Sequence, residues 1–494
     1  MIAGNDVYAT GRGDSKDGKD SVKLGYNAAV NTGNRQAPRT KQVHEDRVLT
    51  VANRKRIDET ALDQSRNYSL VAWAIRKHLD FVSQFSPQVR TGDKAVDDIL
   101  KRELRRSGRR RGFDIAGKHS REQAMRFFEQ SKVLDGQSGI IEIKGGLKQL
   151  VEGKMIGKPD DLPKRWADKV NDSGLVIDRR TGRTNYYCVR KWNADGTKLV
   201  YGRMVNADDM HFDAYFPRIN ANSGVSPLST ALNQFQDLYE NFEYTLLKIK
   251  LHSLFGIKIT RDAGDDDGFD TELEGNDDSA GGVSAAGGVG SEIELGKGIL
   301  TMNLDPGEDV GTIESNTPST EFVNFSTLVT RIALLALDIP YLLLDQTQAS
   351  FSAIIAARED YLFSAKSKQQ KNIEILEEIT ARDVMRLVMD QATGLGRALN
   401  SAGMSAEEAA DGVSWIPVGV PFLDKLKEVS GDEKAIGIGI ESTPRAARRR
   451  GVDAFQMIEE QAEFLERAKE LGVPITIGSP GQATTEEKEA ATNG

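Results

Sequence analysis

The stretch LDPGEDVGTIESNTPSTEFVNFSTLVTRIALLALDIPYLLLDQTQASFSAIIAAREDY, residues 304–361, decides how this chain is read. It predicts a helix, an Asp-Ile-Pro break, a short polar loop and a second helix. Thr317 is placed to N-cap the first helix with Pro318 at its first position, where a missing N–H costs nothing. Phe322, Phe325, Val329, Ile332 and Ala336 then recur three and four apart, which makes one apolar stripe. Pro340 forces Ile339 out of the α region and ends the helix. Residues Asp345, Gln346, Thr347, Gln348, Ala349 and Ser350 follow without an apolar anchor. The next helix starts near Ser352, and Ile355, Leu362, Ile373, Leu376, Val384 and Val388 carry its pattern to about Gln391. That is on the order of 60 Å of helix. Two helices joined by a placed polar loop suggest a mechanical part more than a catalytic one.

Upstream, Ser226 and Pro227 mark another helix start. Leu228, Leu232, Phe235, Tyr239, Phe242, Leu246 and Ile249 then alternate four and three apart, a packing seam sustained over three heptads. The seam is either buried within one domain or packed against neighbouring subunits. Residues 122–217 mix a helix near Arg121–Leu134 with short strands such as Gly139–Lys144 and Tyr186–Lys191, so the class is α+β. Residues 1–60 are polar and read as a flexible arm, with order beginning at the apolar pattern of Ser69–Phe81. Residues 262–291 are rich in Asp, Gly, Ser and Ala and read as a solvated acidic loop.

Several of these segments carry a resemblance to the lambda-family portal proteins of tailed phages. Residues 304–344 resemble the core signature of that family. LKQLVEGKMIGKP (147–159), GLVIDRRTGRTNYYCVRKW (174–192), VNADDMHF (205–212), the segment 224–259 and the segment 419–473 follow in that family's order, so the similarity spans roughly 65–475. One departure is that the family continues after the loop with an Arg-rich helix, whereas this chain has Ser352-Ala353-Ile354 and then Lys366, Lys368 and Lys371.

The resemblance implies a portal-type subunit: an α+β wing (61–223), a first stem helix (224–256), a clip (257–317) and a second stem helix (318–339). After these come a tunnel loop (340–352), a long helix (353–400), a helical C-terminal region (401–475) and a flexible tail (476–494). It implies a dodecameric ring in the virion, at the portal vertex of the capsid and assembled in the host cytoplasm. The implied partners are the terminase large subunit, the major capsid and scaffold proteins, a head–tail adaptor, and double-stranded DNA bound without sequence specificity. No membrane is expected. Candidates for the channel are Asp345, Gln346, Thr347, Gln348, Ser350, Lys366, Lys368 and Lys371. Candidates for the subunit interface are Phe235, Phe242, Leu246, Ile249, Phe325 and Val329.

Composition bounds these readings. The chain has 494 residues, 39% hydrophobic, enough for a sizeable core and more than one domain. Its net charge of −9 gives no overall basic footprint. A channel for sliding DNA is compatible with that, because tight phosphate contacts release counterions and would act as brakes. A single cysteine, Cys188, excludes a disulfide framework and a Cys-based zinc site. No signal-peptide pattern follows Met1, and no run approaches the ~18 apolar residues of a membrane span.

Chemistry-bearing motifs are sparse. Gly296-Lys297-Gly298 lacks the remainder of a P-loop. Asp265, Asp267, Gly268 and Glu274 match part of a calcium loop, but Ala263 and Asp270 stand at positions that should be an acid and a hydrophobe. The five histidines show no paired metal-ligand spacing, and His211, after Asp208-Asp209-Met210, reads as a strand-end position. No cofactor is expected. Two basic clusters remain: Arg105, Arg106, Arg109, Arg110 and Arg111 within a run from Lys101, and Arg448, Arg449 and Arg450 after Arg445. Either meets DNA or a partner protein by charge, or is a solvated face. The competing classes are another ring-forming head–tail connector and a metal-dependent nuclease.

Overall fold

The structure is a computed structural model, and it describes residues 43–255, 257–261, 293–296, 299–302, 308–312, 318–347, 349–419 and 425–473. Helices α1 (Glu45–Val48), α2 (Val51–Asn67) and α3 (Ser69–Val82) lead into β1 (Phe85–Val89), α4 (Lys94–Ser107), α5 (Arg110–Phe113) and α6 (Arg121–Asp135). Strands β2 (Gln137–Glu142), β3 (Lys148–Glu152), β4 (Leu175–Ile177), β5 (Thr184–Trp192), β6 (Leu199–Asn206) and β7 (Met210–Ala214) follow. Next come α7 (Leu232–Phe255), β8 (Ile257–Arg261), β9 (Ile293–Gly296), β10 (Ile299–Met302), β11 (Glu308–Thr312), α8 (Thr320–Leu334) and α9 (Phe351–Met389). The described chain closes with α10 (Leu395–Ala402), α11 (Ala406–Asp411), β12 (Val413–Pro417), α12 (Lys425–Gly437), α13 (Thr443–Arg449) and α14 (Ala454–Glu470).

This is α+β, with small antiparallel sheets ordered β3-β2-β7 and β4-β5-β6 and the two-stranded pairs β1-β12, β8-β11 and β9-β10. Local chemistry sets the boundaries. Ser120 and Gln123 form a capping box at the start of α6, and Gly136 ends it in the left-handed region at φ 76°. A Cβ at Gly136 would also lie 2.6 Å from the backbone of Gly224 and Val225, so this turn admits only glycine.

The cores lie along α9. Near its start, Tyr361 packs with Val71, Ile75, Leu228, Phe235, Leu334 and Leu337. Midway, Leu376 and Ile379 meet Phe113, Phe128 and Trp415. At its far end, Val384 and Leu387 pack with Leu100 and Leu104 of α4 and Leu395 of α10. A 39-residue helix is about 58 Å long, and it is the spine to which the other elements attach.

Several boundaries differ from the sequence expectation. Order begins earlier than Ser69: α2 lies within and beyond the expected arm, with Ala61 and Gln64 buried. The cap of α8 is Ser319, whose hydroxyl accepts from the Phe322 amide, and not Thr317. Pro318 fixes the chain just before the cap, so the serine behind it takes the role. The break after α8 also comes before Pro340. A 3-10 turn over Leu335–Leu337 ends at Asp338, which has φ 60° and is the non-glycine residue with positive φ among those described. The long helix stops at Met389 and not near residue 400, where Asp390 turns the chain into α10. The expected arm up to residue 42, the whole acidic loop 262–291, Gln348 and the tail 476–494 lie outside the described residues.

Candidate functional site

The chain leaves α7 along β8 and returns to α8 along β11, and these two strands pair from Ile257 with Thr312 to Arg261 with Glu308. The helices meet through the rings of Phe242 and Phe322, 6.0 Å apart. The sequence seam of α7 divides in two. Leu232, Phe235 and Leu238 are buried within the chain, whereas Phe242, Tyr244, Leu246 and Leu247 are exposed, Leu246 by 55%. Phe235 is therefore a core residue and not an interface position, because α2, α3 and the turn at Leu228 already cover it. Ile249 is half-buried.

Helix α8 is inverted relative to an ordinary surface helix. Its buried face carries Ser326, Thr330, Ala333 and Leu334, and the Thr330 hydroxyl is satisfied by the Ser326 carbonyl at 2.8 Å. Its exposed face carries Val323, Phe325, Leu328, Ile332 and Leu335 at 49–65% exposure, with Val329 half-buried. A normal surface helix turns its apolar stripe inward. Together α7 and α8 present an apolar face that the described residues leave uncovered. Contrary to the sequence expectation, Thr320–Leu337 is also long and apolar enough, by length and composition, to cross a membrane, with a mean hydropathy of 1.3.

The loop between α8 and α9 is clipped at both ends. Asp338 Oδ2 accepts from the Ser364 hydroxyl and from Lys368 Nζ, each at 2.8 Å. Partial burial would raise this carboxyl, but those hydrogen bonds and the lysine charge hold it below its usual range. Pro340 leads a 3-10 turn over Tyr341–Leu343, and Arg331 lies over the Tyr341 ring. Asp345 then accepts from the Thr347 amide and hydroxyl, a local Asx turn. Ser350 caps α9 by accepting from the Ala353 amide. Of the channel candidates, Lys368 is thus tied to Asp338, while Asp345, Gln346, Lys366 and Lys371 are exposed or half-exposed. Gln348 lies outside the described residues.

The buried seam of α9 in this region is polar. It runs through Tyr361, Ala365, Gln369 and Asn372, which explains why the apolar pattern lapses there. These residues join a network the sequence reading missed. Glu129 Oε2 lies 2.7 Å from Lys132 Nζ and accepts from Asn372 Nδ2 at 3.0 Å. Glu129 Oε1 accepts from the Tyr215 hydroxyl at 2.5 Å and lies 3.2 Å from His78 Nε2. Lys132 also reaches Asp213 at 2.7 Å, and the Tyr361 hydroxyl lies 3.2 Å from His78 Nδ1. Burial alone would raise Glu129, yet Lys132 and His78 hold it far below the carboxylate range; burial lowers His78. A neutral His78 that donates from Nε2 and accepts at Nδ1 satisfies every contact. The legible signal was Glu129 and Lys132, three apart on an otherwise apolar helix face.

His211 sits within β7, buried, with Nδ1 2.8 Å from Glu378 and Nε2 3.3 Å from Glu142. Among the described residues no group of three or more His, Cys, Asp or Glu could hold a metal ion. Cys188 is buried in β5, and burial pushes its thiol up to about 11, away from nucleophilic use.

The basic clusters fare differently. Arg449 lies 2.6 Å from Asp432 and 2.9 Å from Glu441, and Arg450 lies 2.7 Å from Glu428, so two of that set are engaged in tying α13 to α12. Arg448 is exposed. Arg105, Arg106, Arg109, Arg110 and Arg111 are all exposed on α4 and α5.

The family described as "Phage portal protein, lambda family" matches residues 32–362, well over half of the chain, and the chain belongs to that family. It is a portal subunit, the head–tail connector component of a phage-type virion, placed at the portal vertex. The match stops near the start of α9, so the segment 419–473, expected to continue the similarity, lies beyond it. No curated protein matches the chain. Among solved structures, a chain from the virion of a native gene transfer agent particle is similar at 12% identity and a TM-score of 0.42, covering 83% of this chain and 99% of that one. A chain from the neck of the native particle, computed with C12 symmetry, has 12% identity and a TM-score of 0.43, covering 79% and 93%.

Proposed function

We propose that twelve copies of this chain close into a ring whose channel passes double-stranded DNA inward during packaging and outward at ejection. In this reading α7 and α8 line and seal the channel wall. Residues 257–317 form the clip that meets the terminase large subunit and later the head–tail adaptor. The α+β region faces the major capsid and scaffold proteins. The subunit is not an enzyme, and ATP hydrolysis comes from the docked motor. The loop 340–352 works against DNA, with the exposed Lys366 and Lys371 offering loose point charges to phosphates.

The observation that supports this reading is the apolar face shared by Phe242, Leu246, Phe325 and Ile332, which the described residues leave exposed. A patch of this kind marks an interaction site. In a ring each subunit repeats one heterologous contact on either side, so the face needs no self-complementarity. The same burial accounts for the apolar window of α8 without a bilayer. The test is a double substitution, Leu246→Asp with Phe325→Asp. The expected product is a folded, soluble subunit that forms no rings, and intact rings from this variant would refute the stem assignment.

A further inference from the structure

The arginine-rich surface of α4 and α5 is used by nothing described so far. Seven basic residues stand in the eleven from Lys101 to Arg111. The inner face of α4 is buried through Val96, Leu100 and Leu104, so the helix is held rigidly with its basic face outward. The acids nearby are largely spoken for. Glu103 is buried between Arg102 and Arg106, at 3.2 and 3.8 Å. Asp114 accepts the amides of Ala116, Lys118 and His119. Glu459 of α14 reaches only Lys101, at 4.0 Å. Arg105, Arg109, Arg110 and Arg111 make no ion pair among the described residues.

Position separates this surface from the channel loop. Leu100 and Leu104 pack on Val384 and Leu387, at the end of α9 opposite Ser350. The 37 residues from Ser350 to Leu387 advance about 55 Å. We infer that this surface is a second binding site for double-stranded DNA, a phosphate-contacting face remote from the channel loop. The inference rests on the portal reading for the presence of DNA. Its chemistry is that of the guanidinium, a fork matched to phosphate oxygens. The seven helical residues Lys101–Ser107 advance about 10 Å and carry four of these charges, against the roughly six phosphate charges that a duplex presents over that length; Arg109, Arg110 and Arg111 extend the surface beyond the helix end. No aromatic residue interrupts the run, so a base-stacking single-strand site is not what it fits.

Relaxed, covalently closed circular DNA cannot thread a preassembled closed ring, so its binding reports outer surfaces alone. The experiment titrates such circles with rings of the full-length chain across a salt series. It compares Arg105→Gln/Arg109→Gln/Arg110→Gln with Arg179→Gln/Arg180→Gln/Arg183→Gln, which removes equal charge elsewhere. The patch variant should bind at least tenfold more weakly, with the log–log salt slope shallower by about 2.7, or 0.9 per lost phosphate contact. The control variant should bind as wild type. Wild-type rings that ignore the circles would overturn the inference, as would a patch variant matching the control. So would a patch variant that keeps DNA binding and loses only poly-glutamate, which would assign the surface to an acidic polypeptide. Ring mass is measured before DNA is added: absence of rings counts against the portal reading, and the same titration on unassembled chain still tests the patch.

Discussion

Lys368 Nζ lies 2.8 Å from Asp338 Oδ2, so a residue two turns into the buried part of α9 holds the left-handed aspartate that ends the α8 segment. The contact fixes the angle at which the 340–350 loop leaves its helix. It is partly exposed, and solvent screening limits its worth to about 1 kcal/mol. Lys368→Met should therefore cost little in global unfolding. It should, however, speed hydrogen exchange at the amides from Asp345 to Ser350. Unchanged exchange there would show that the loop is held by its own Asx turn alone.

Phe235 and Phe242 stand seven apart on one sequence stripe yet have opposite fates. Phe235→Ala should destabilise the isolated subunit by about 3–5 kcal/mol, the cost of a large core cavity. Phe242→Asp loses only the ring contacts with Phe322 and Tyr239 and should cost about 1 kcal/mol while abolishing assembly. Chemical denaturation with mass photometry on each variant separates the two effects. Equal destabilisation by both would mean that Phe242 belongs to the core.

That contrast shows what the sequence could carry. Periodicity located α7, α8 and α9, because each carries an apolar stripe, and the loop, because the stripe lapses there; the expected Ser226 cap serves a 3-10 turn over Pro227–Thr230, and α7 starts at Leu232. It could not say which part of a stripe faces the same chain, since a seam against a neighbour and a seam against a core have the same spacing. Ser326 and Thr330 on the buried face of α8 were the discriminating residues, and polar residues in a helix carry no such flag before packing is known. The Glu129 network was legible only in its Glu129–Lys132 spacing for a related reason: its other members come from α3, β7 and α9, and only the tertiary fold brings them together.

Removing one member of that network should be expensive. Glu129→Ala leaves His78, Asn372 and Tyr215 without their shared acceptor and Lys132 with only Asp213 and the Asn372 side-chain carbonyl. A loss of about 3–5 kcal/mol is expected for breaking a buried, charged network. Urea denaturation provides the check, and a loss below about 1 kcal/mol would show that the site repacks.

His211 supplies a pH dependence. Burial alone would lower its pKa, but the hydrogen bonds its ring donates to Glu142 and Glu378 outweigh it and raise the native value. A raised native pKa stabilises fully below the unfolded value of about 6.5, and the contribution is lost as pH rises through the native value. His211→Gln should thus lower Tm more at pH 6 than at pH 9. An equal loss at both would contradict the charged pairing.

Asp58 is shifted in the same direction, but its substitution has the opposite effect. It lines a cavity of about 410 Å³ with Arg54, Asp135 and Arg190, and burial, then Asp135, push its carboxyl up to about 8. Its protonated form is favoured in the native state, so stability falls as pH rises towards that value. Asp58→Asn should therefore be more stable than wild type, by a margin that grows from pH 5 to pH 9. A margin that is flat across that range would show that the carboxyl is ionised in the fold.

The central claim is that the exposed apolar face of α7 and α8 closes a ring, and the most direct measurement is mass photometry with negative-stain electron microscopy on the purified full-length chain. The account predicts annular particles with a central opening and a mass near twelve times the 54.2 kDa chain. A compact dimer or other closed particle without a central opening, burying the same face, would contradict it.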